Sequence, residues 1–334
     1  MVTDARTLLS ADLLPFAARV EEEIRRRYSA PGTTLDAISG YAMLPPGKLF
    51  RPILLLHSAL AVGGDVESIL PAAVGTECGH VASLIHDDII DQDDLRRGRA
   101  SVPARYGIPD AIVAGDMLIF QLFASLAECR YNGVPDSYVV SALEAVARAG
   151  RDMCLGQSME AEIGERLDLE RESYITMIRL KTAAFFRGAC ESGALLAGGN
   201  PALVAALGDY ADNLGLAFQI CDDLLPYVST TERTGKAATS DIVNGRLTLP
   251  VILAYQRAED KRSTIRSLLG GPADAAHNLE LLDEILETTG AISSAVDIAY
   301  GYVAQAKAAL CRLPHTSSRA QLASFADLAV DRYL

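Results

Sequence analysis

From about Ala11 to Tyr28 apolar residues recur at helical spacing, interleaved with Glu21-Glu22-Glu23 and Arg25-Arg26-Arg27. That pattern predicts a helix with an exposed charged face, ended by Pro31-Gly32. A short helix follows, then a turn at Leu44-Pro45-Pro46-Gly47, after which Lys48-Leu49-Phe50-Arg51-Pro52 enters an apolar helix running to about Val62. Gly63-Gly64 separates it from a long helix, about Pro71 to Ile90. Beyond a basic loop, Gly107-Ile108-Pro109 breaks the chain before a helix from about Ala111 to Glu128, and Asn132-Gly133-Val134-Pro135 makes the next turn. Helices are predicted near 136 to 165, 171 to 197 and 202 to 225, with Gly198-Gly199-Asn200-Pro201 between the last two. Residues 226 to 245 are polar and contain glycine, as a lid-like loop would. A helix near 246 to 258, a loop through Gly270-Gly271-Pro272 and helices near 278 to 288, 291 to 312 and 317 to 332 complete the chain.

No strand-type alternation exceeds a few residues, and no low-complexity stretch, fixed-period repeat or linker interrupts the pattern. The expectation is an all-α protein, a single large helical bundle over residues 1–334. Composition agrees: 50% of the 334 residues are hydrophobic, enough for a large core, and tryptophan is absent. The net charge of -13 disfavours nucleic acid, whose phosphates are held mainly by lysine and arginine. Six dispersed cysteines, Cys78, Cys129, Cys154, Cys190, Cys221 and Cys311, form no CxxC pair and read as buried thiols in a reducing compartment. The N-terminus carries no basic-then-apolar signal, and no uninterrupted apolar run reaches the ~18 residues of a membrane span. A cytoplasmic protein with no transmembrane segment is expected.

Candidate chemistry begins where the long apolar helix ends, at Leu84-Ile85-His86-Asp87-Asp88-Ile89-Ile90-Asp91, followed by Arg96-Arg97. Asp87 and Asp91, four residues apart, share one helix face, with Asp88 on the flank. Like charges so spaced repel by roughly 0.2 to 0.5 kcal/mol per pair, so the turn is either a solvated acidic cap or a cation site. Oxygen ligands without a nearby cysteine suit a hard ion such as magnesium. Phe218-Gln219-Ile220-Cys221-Asp222-Asp223 repeats the same grammar. Two such helix ends can face each other across a cavity and hold metal ions between them. Lys48, Arg51, Arg96, Arg97, Lys181 and Lys236 lie at helix boundaries or in apolar contexts and are candidates for holding anions.

Taken in order, Gly47-Lys48-Leu49-Phe50-Arg51-Pro52, the Asp87 motif with Arg96-Arg97-Gly98, Lys181-Thr182, Phe218-Gln219 with Asp222-Asp223, Gly235-Lys236 and Thr248-Leu249-Pro250 resemble the motifs of the trans-isoprenyl diphosphate synthases. Even the ending, Leu328-Ala329-Val330-Asp331-Arg332, is similar. The resemblance implies an all-helical fold around a central cavity, a homodimer, and head-to-tail condensation of isopentenyl diphosphate with an allylic diphosphate. It implies magnesium, three ions, held by Asp87, Asp88, Asp91, Asp222 and Asp223. Arg96, Lys181 and Lys236 then stabilise the leaving group, while Lys48, Arg51, His80 and Arg97 take the second diphosphate. Thr182 and Gln219 are further polar contacts, and His86 is placed to orient one of the aspartates.

Small residues continue below Asp87: Ala82, Ser83, Gly79, and lower still Gly75 and Thr76. If this face lines a product tunnel, a product of twenty carbons or more fits; close helix packing is the competing explanation. Phe120 and Phe123 on a neighbouring helix are candidates for a tunnel floor. The chain departs from the family pattern at Pro226, where a third aspartate is usual, and at Asn244-Gly245-Arg246, where the third residue is usually lysine. Proline removes both the carboxylate and an amide, so the helix is expected to kink or end there. Two alternatives follow from the departures. A class I terpene cyclase would have no use for Lys48, Arg51, His80 and Arg97, and a noncatalytic modulating subunit would be expected to lack the Asp87 motif.

Overall fold

The computed structural model describes residues 13–228, 246–269 and 275–331. Its elements begin with helices α1 (Leu14–Tyr28), α2 (Thr34–Met43), α3 (Phe50–Ala61) and α4 (Val66–Ile90). A two-stranded hairpin, β1 (Leu95–Arg96) and β2 (Arg99–Ala100), precedes α5 (Val102–Tyr106), α6 (Ile108–Glu128) and α7 (Asp136–Arg166). Then come α8 (Arg171–Ile178), α9 (Ala184–Leu196), α10 (Pro201–Val228), α11 (Leu249–Arg257) and α12 (Arg262–Leu268). The last helices are α13 (Ala275–Thr288), α14 (Ala291–Ala309) and α15 (Ser317–Asp331). The all-α expectation holds. The chain forms two compact units: Met1–Ala147 with Gly188–Gly208 and Leu310–Leu322, and Arg148–Arg187 with Asp209–Ala309 and Ala323–Leu334.

In the first unit α4 is buried from Ile69 to Gly79 and again at Val81, Ala82 and Ile85. A helix surrounded by protein has no solvent face to make polar, so α4 is mostly apolar on every side before its acidic end, with Thr76, Glu77 and His80 as exceptions. It starts at Val66 rather than near Pro71, because Asp65 caps it by accepting from the Ser68 amide at 3.0 Å. Pro71 leaves the Glu67 carbonyl without its helical donor, and Asn132 Nδ2 supplies one at 3.3 Å. α6 packs along α4, and a Cβ at Gly75 would lie 2.8 Å from Ser125 Cβ and 3.0 Å from the Leu122 carbonyl oxygen. At Gly75, then, the small residue serves packing. Ile108–Asn132 is long and apolar enough by composition to cross a membrane, although Asp110 and Asp116 interrupt the run and its inner positions are buried.

Three expectations are corrected in this unit. Glu21 and Glu23 on α1 are buried, not exposed, because arginines pair with them. Arg25 binds Glu21, while Arg26 and Arg27 bind Glu23, and Arg26, with Arg27 behind it, holds the Glu23 carboxyl down to about 2. Phe120 is 73% exposed, so it forms no floor beneath α4. The loop at Arg96-Arg97 is a hairpin whose turn residues, Arg97 and Gly98, both have positive φ, the backbone a two-residue connection between twisted strands requires.

In the second unit the helix expected over 171 to 197 is interrupted by a π-turn, Arg179–Ala183, between α8 and α9. A Cβ on Gly156 of α7 would meet the Lys181 amide nitrogen at 2.3 Å, and one on Gly215 of α10 would meet Ala183 Cα at 2.5 Å. α10 does not end at Pro226 but runs on to Val228, so residues 226–228 are helical. Pro226 removes the amide that would bond the Asp222 carbonyl, yet the helix continues two residues beyond it. α12 occupies part of the expected loop between 258 and 278. Two of the cysteines expected to be buried, Cys154 and Cys311, are exposed; periodicity in a charged helix did not resolve their faces.

Gly75→Ala gains about 1 kcal/mol of helix propensity but overpacks the α4–α6 contact at a cost of about 1–3 kcal/mol. A lower Tm is therefore expected on thermal unfolding. His57, 3% exposed with the Phe16 ring 4.6 Å away, has neither ring nitrogen hydrogen-bonded, and burial pushes its pKa down to about 4. An unfolded imidazole titrates near 6.5, so its contribution is complete above that pH and is lost as pH falls toward 4, by up to roughly 3 kcal/mol. His57→Leu should flatten that slope, read from urea unfolding at about pH 7 and about pH 5.

Candidate active site

At the end of α4 the three carboxylates separate. Asp88 is 2% exposed, whereas Asp87 and Asp91 are half-exposed on a common face. Taking a carboxylate out of water is costly unless a cation accompanies it. Arg96 does so: its Nε donates to Asp88 Oδ1 at 2.7 Å, its Nη2 donates to the same oxygen, and Nη2 also reaches Asp93 Oδ2 at 3.1 Å. The Asp93 amide donates to the Asp88 carbonyl at 3.0 Å, turning the chain back at the helix end. A cavity of about 30 Å³, room for one water, is lined by Tyr41, Val81, Leu84, Asp88, Arg96 and Arg97 among others. Among the described residues no three His, Cys, Asp or Glu side chains converge as a metal cage. His86 turns toward α6, 3.6 Å from Asp116 and against Gly115, rather than toward the aspartates.

The hairpin delivers the next arginine. A Cβ on Gly47 would lie 2.4 Å from Arg97 Nη2 and 2.8 Å from its Cζ, so this glycine is the space the guanidinium fills. Arg99 fixes the hairpin to the end of α2, donating to the Leu44 carbonyl at 2.7 Å and the Tyr41 carbonyl at 2.6 Å. Arg51, at the start of α3, donates from Nη1 to His80 Nδ1 at 3.3 Å. Guanidinium has no acceptor, so the neutral imidazole accepts at Nδ1 and keeps its proton on Nε2. Burial, with Arg51, Arg97 and Arg96 adding to it, holds His80 well below its ordinary pKa and therefore neutral. Burial lowers Arg51 to about 10, opposed by Glu77, a buried carboxylate one turn below His80. Lys48 is exposed, its Nζ 5.8 Å from the Phe50 ring centre. The structure thus brings Gly47, Arg51, His80 and Arg97 into one basic cluster.

On the helix below Asp87, Gly79 and Ala82 are buried, and Ser83, half-buried, donates its hydroxyl to the His80 carbonyl at 2.8 Å.

In the second unit, the Lys181 ammonium donates to Glu160 Oε2 at 2.5 Å, and Gln157 Nε2 reaches the same oxygen at 3.2 Å. Thr182 Oγ1 donates to Gln219 Oε1 at 2.7 Å, and Gln219 Nε2 donates to Asp223 Oδ1 at 2.8 Å. Asp222 is exposed beside it. Lys236 lies outside the described residues. No motif singled out Glu160, Gln157 or Glu77. For the first two the available signal was Gly156-Gln157 on α7, a glycine in mid-helix that lets another backbone approach.

The Polyprenyl synthetase family model matches residues 33–287. The chain is similar to a protein of Methanothermobacter thermautotrophicus called short chain isoprenyl diphosphate synthase, 40% identical over 96% of this chain and 97% of the relative. A geranylfarnesyl diphosphate synthase of Natronomonas pharaonis is 33% identical over 92% of this chain and 90% of its own length. The crystal structure of geranylgeranyl pyrophosphate synthetase from Pyrococcus horikoshii superposes with a TM-score of 0.88 at 31% identity, covering 96% of this chain and 98% of that one. The polyprenyl synthase from Caulobacter crescentus, complexed with calcium and isoprenyl diphosphate, also gives 0.88 at 31% identity, over 100% of this chain and 99% of that one.

The geometry of the acidic turn makes Arg96 a stabilising residue as well as a candidate ligand. Arg96→Ala strips the guanidinium from buried Asp88 and should destabilise the protein by about 3 kcal/mol in urea unfolding. Truncating Arg166 to alanine, exposed on α7 with Glu162 3.8 Å away, should change stability by less than about 0.5 kcal/mol.

Proposed function

Because the chain belongs to the polyprenyl synthetase family, we propose that it condenses isopentenyl diphosphate head to tail with an allylic diphosphate, giving a trans-polyprenyl diphosphate of twenty carbons or more. The observation that carries this reading is the cluster of Arg51, His80 and Arg97, closed by the contact of Arg97 with Gly47. One neutral imidazole N–H and two guanidinium groups, with exposed Lys48 nearby in sequence, suit a diphosphate, and a second diphosphate pocket distinguishes a condensing enzyme from a cyclase.

Asp87 and Asp91 fit magnesium: hard carboxylate oxygens on one helix face, accessible to solvent, with neither Cys nor His in the donor set. Asp222, the exposed carboxylate of the second motif, is the oxygen ligand proposed for the second unit. Bound there, magnesium would neutralise the diphosphate that leaves the allylic carbon. Lys181 and Arg96 add positive charge where the leaving group becomes more negative, and Lys236 is proposed for the same task. The double bond of isopentenyl diphosphate attacks the allylic cation, and the departed diphosphate takes the proton. No side chain acts as a nucleophile.

We place a second copy of the chain on the apolar face of α6, where Ile108, Ile112, Val113 and Phe120 are exposed. Ala82, buried on α4 below the acidic end, is proposed to line the growing chain.

With magnesium, isopentenyl diphosphate and five-, ten- or fifteen-carbon allylic diphosphates, elongation to a product of at least twenty carbons is expected by chromatography. A cyclic hydrocarbon from a single allylic substrate, with no elongation in any mixture, would overturn the synthase reading. Ala82→Phe should shorten the product, and an unchanged product length would remove that helix face from the tunnel.

A further inference from the structure

Tyr174 on α8 is 1% exposed, yet its hydroxyl is not idle: it donates to Asp223 Oδ2 at 2.7 Å. The other oxygen of Asp223 accepts from Gln219 Nε2, whose amide oxygen accepts from Thr182, so four side chains form one continuous line of hydrogen bonds. The direction of each bond is fixed by chemistry. A carboxylate only accepts, so Gln219 must turn its NH₂ to Asp223 and its carbonyl to Thr182. The Thr182 hydroxyl proton is then committed to Gln219. What Thr182 offers the site is a lone pair, suited to a water or an ammonium and not to a phosphate oxygen.

Thr182 and Lys181 sit in the π-turn, whose backbone departs from the helical ladder and is found often at functional sites. A turn of that kind needs side-chain support to hold a single geometry. The support comes from α8 and α10 through Tyr174, Asp223 and Gln219.

We infer that Tyr174 and Asp223 are positioning residues, a buried relay that fixes Gln219 and Thr182 and with them the turn that presents Lys181 to the allylic diphosphate. Asp223 is thereby assigned to the protein rather than to a metal, leaving Asp222 as the ligand of the second motif. The inference rests on the reading that Lys181 serves the allylic diphosphate.

Tyr174→Phe keeps the ring and removes only the hydroxyl. Its kcat should fall roughly tenfold, the scale of one hydrogen bond to a charged group, with KM for isopentenyl diphosphate unchanged within about twofold. General loosening of the fold would instead move both substrates' constants. Asp223→Asn should show the same kcat loss and should leave manganese binding, titrated without substrate, at the level of the unsubstituted protein. Wild-type kcat in Tyr174→Phe, or lost manganese sites in Asp223→Asn, would overturn the relay. Lys181→Ala separates the two layers of argument. If it leaves kcat and the allylic KM unchanged, the allylic reading itself fails; if it is impaired while Tyr174→Phe is not, only the relay fails. Should either relay variant lose its helical circular dichroism, the other decides.

Discussion

A carboxylate buried at the end of an apolar helix must bring its cation with it, and the pairing of Asp88 with Arg96 constrains everything that follows α4. Arg96 has to reach back eight residues, so the intervening chain must reverse, first through the Asp93 amide on the Asp88 carbonyl and then through the hairpin. Once β1 is anchored by Arg96, the two-residue turn places Arg97 against Gly47, and β2 places Arg99 on the carbonyls that end α2. The cluster of Arg51, His80 and Arg97 is a consequence of that geometry. An electrostatic requirement in the core thus sets the position of a cation at the surface.

Much of this was legible in the residues. Apolar periodicity located most helices, because burial of one face leaves a period that survives without any knowledge of neighbours. Motifs located Arg51, His80, Arg97, Lys181, Thr182, Gln219 and both aspartate pairs. The illegible features depend on contacts between segments distant in sequence. Nothing local reveals that Asn132 supplies the donor Pro71 lacks, a contact that lets α4, capped by Asp65, run through the proline. The π-turn at Arg179–Ala183 lies where the backbone passes close to Gly156 and Gly215, and periodicity alone reads through it. Glu21 and Glu23 looked solvated because charge is usually exposed, and pairing with three arginines reversed that expectation. Glu160 and Tyr174 carry no motif of their own; only their partners, Lys181 and Asp223, identify them.

The two aspartate pairs share a physical logic that their spelling conceals. Adjacent residues on a helix point about 100° apart, so an Asp-Asp pair at a helix end cannot present both carboxylates to the same place. In the first motif Asp87 stays accessible and Asp88 turns inward to Arg96. In the second Asp222 is exposed and Asp223 turns to Tyr174 and Gln219. One member of each pair addresses solvent and the other organises the protein around it. Asp91 extends the accessible side of the first motif because four residues return it to the face of Asp87.

That division also bears on Pro226. Four residues after Asp222, position 226 is where a carboxylate would rejoin the face of Asp222, as Asp91 rejoins that of Asp87. Proline occupies it without ending α10, so the backbone course is kept and the charge is what is lost. With Asp223 held by Tyr174 and Gln219, the exposed carboxylate of the second motif is Asp222, against the two of the first motif. Cation affinity rises with the number of anionic oxygens that share the ion. The first motif therefore presents two carboxylates to solvent, Asp87 and Asp91, and the second presents one, Asp222, while Asp223 serves the geometry of Gln219 and Thr182.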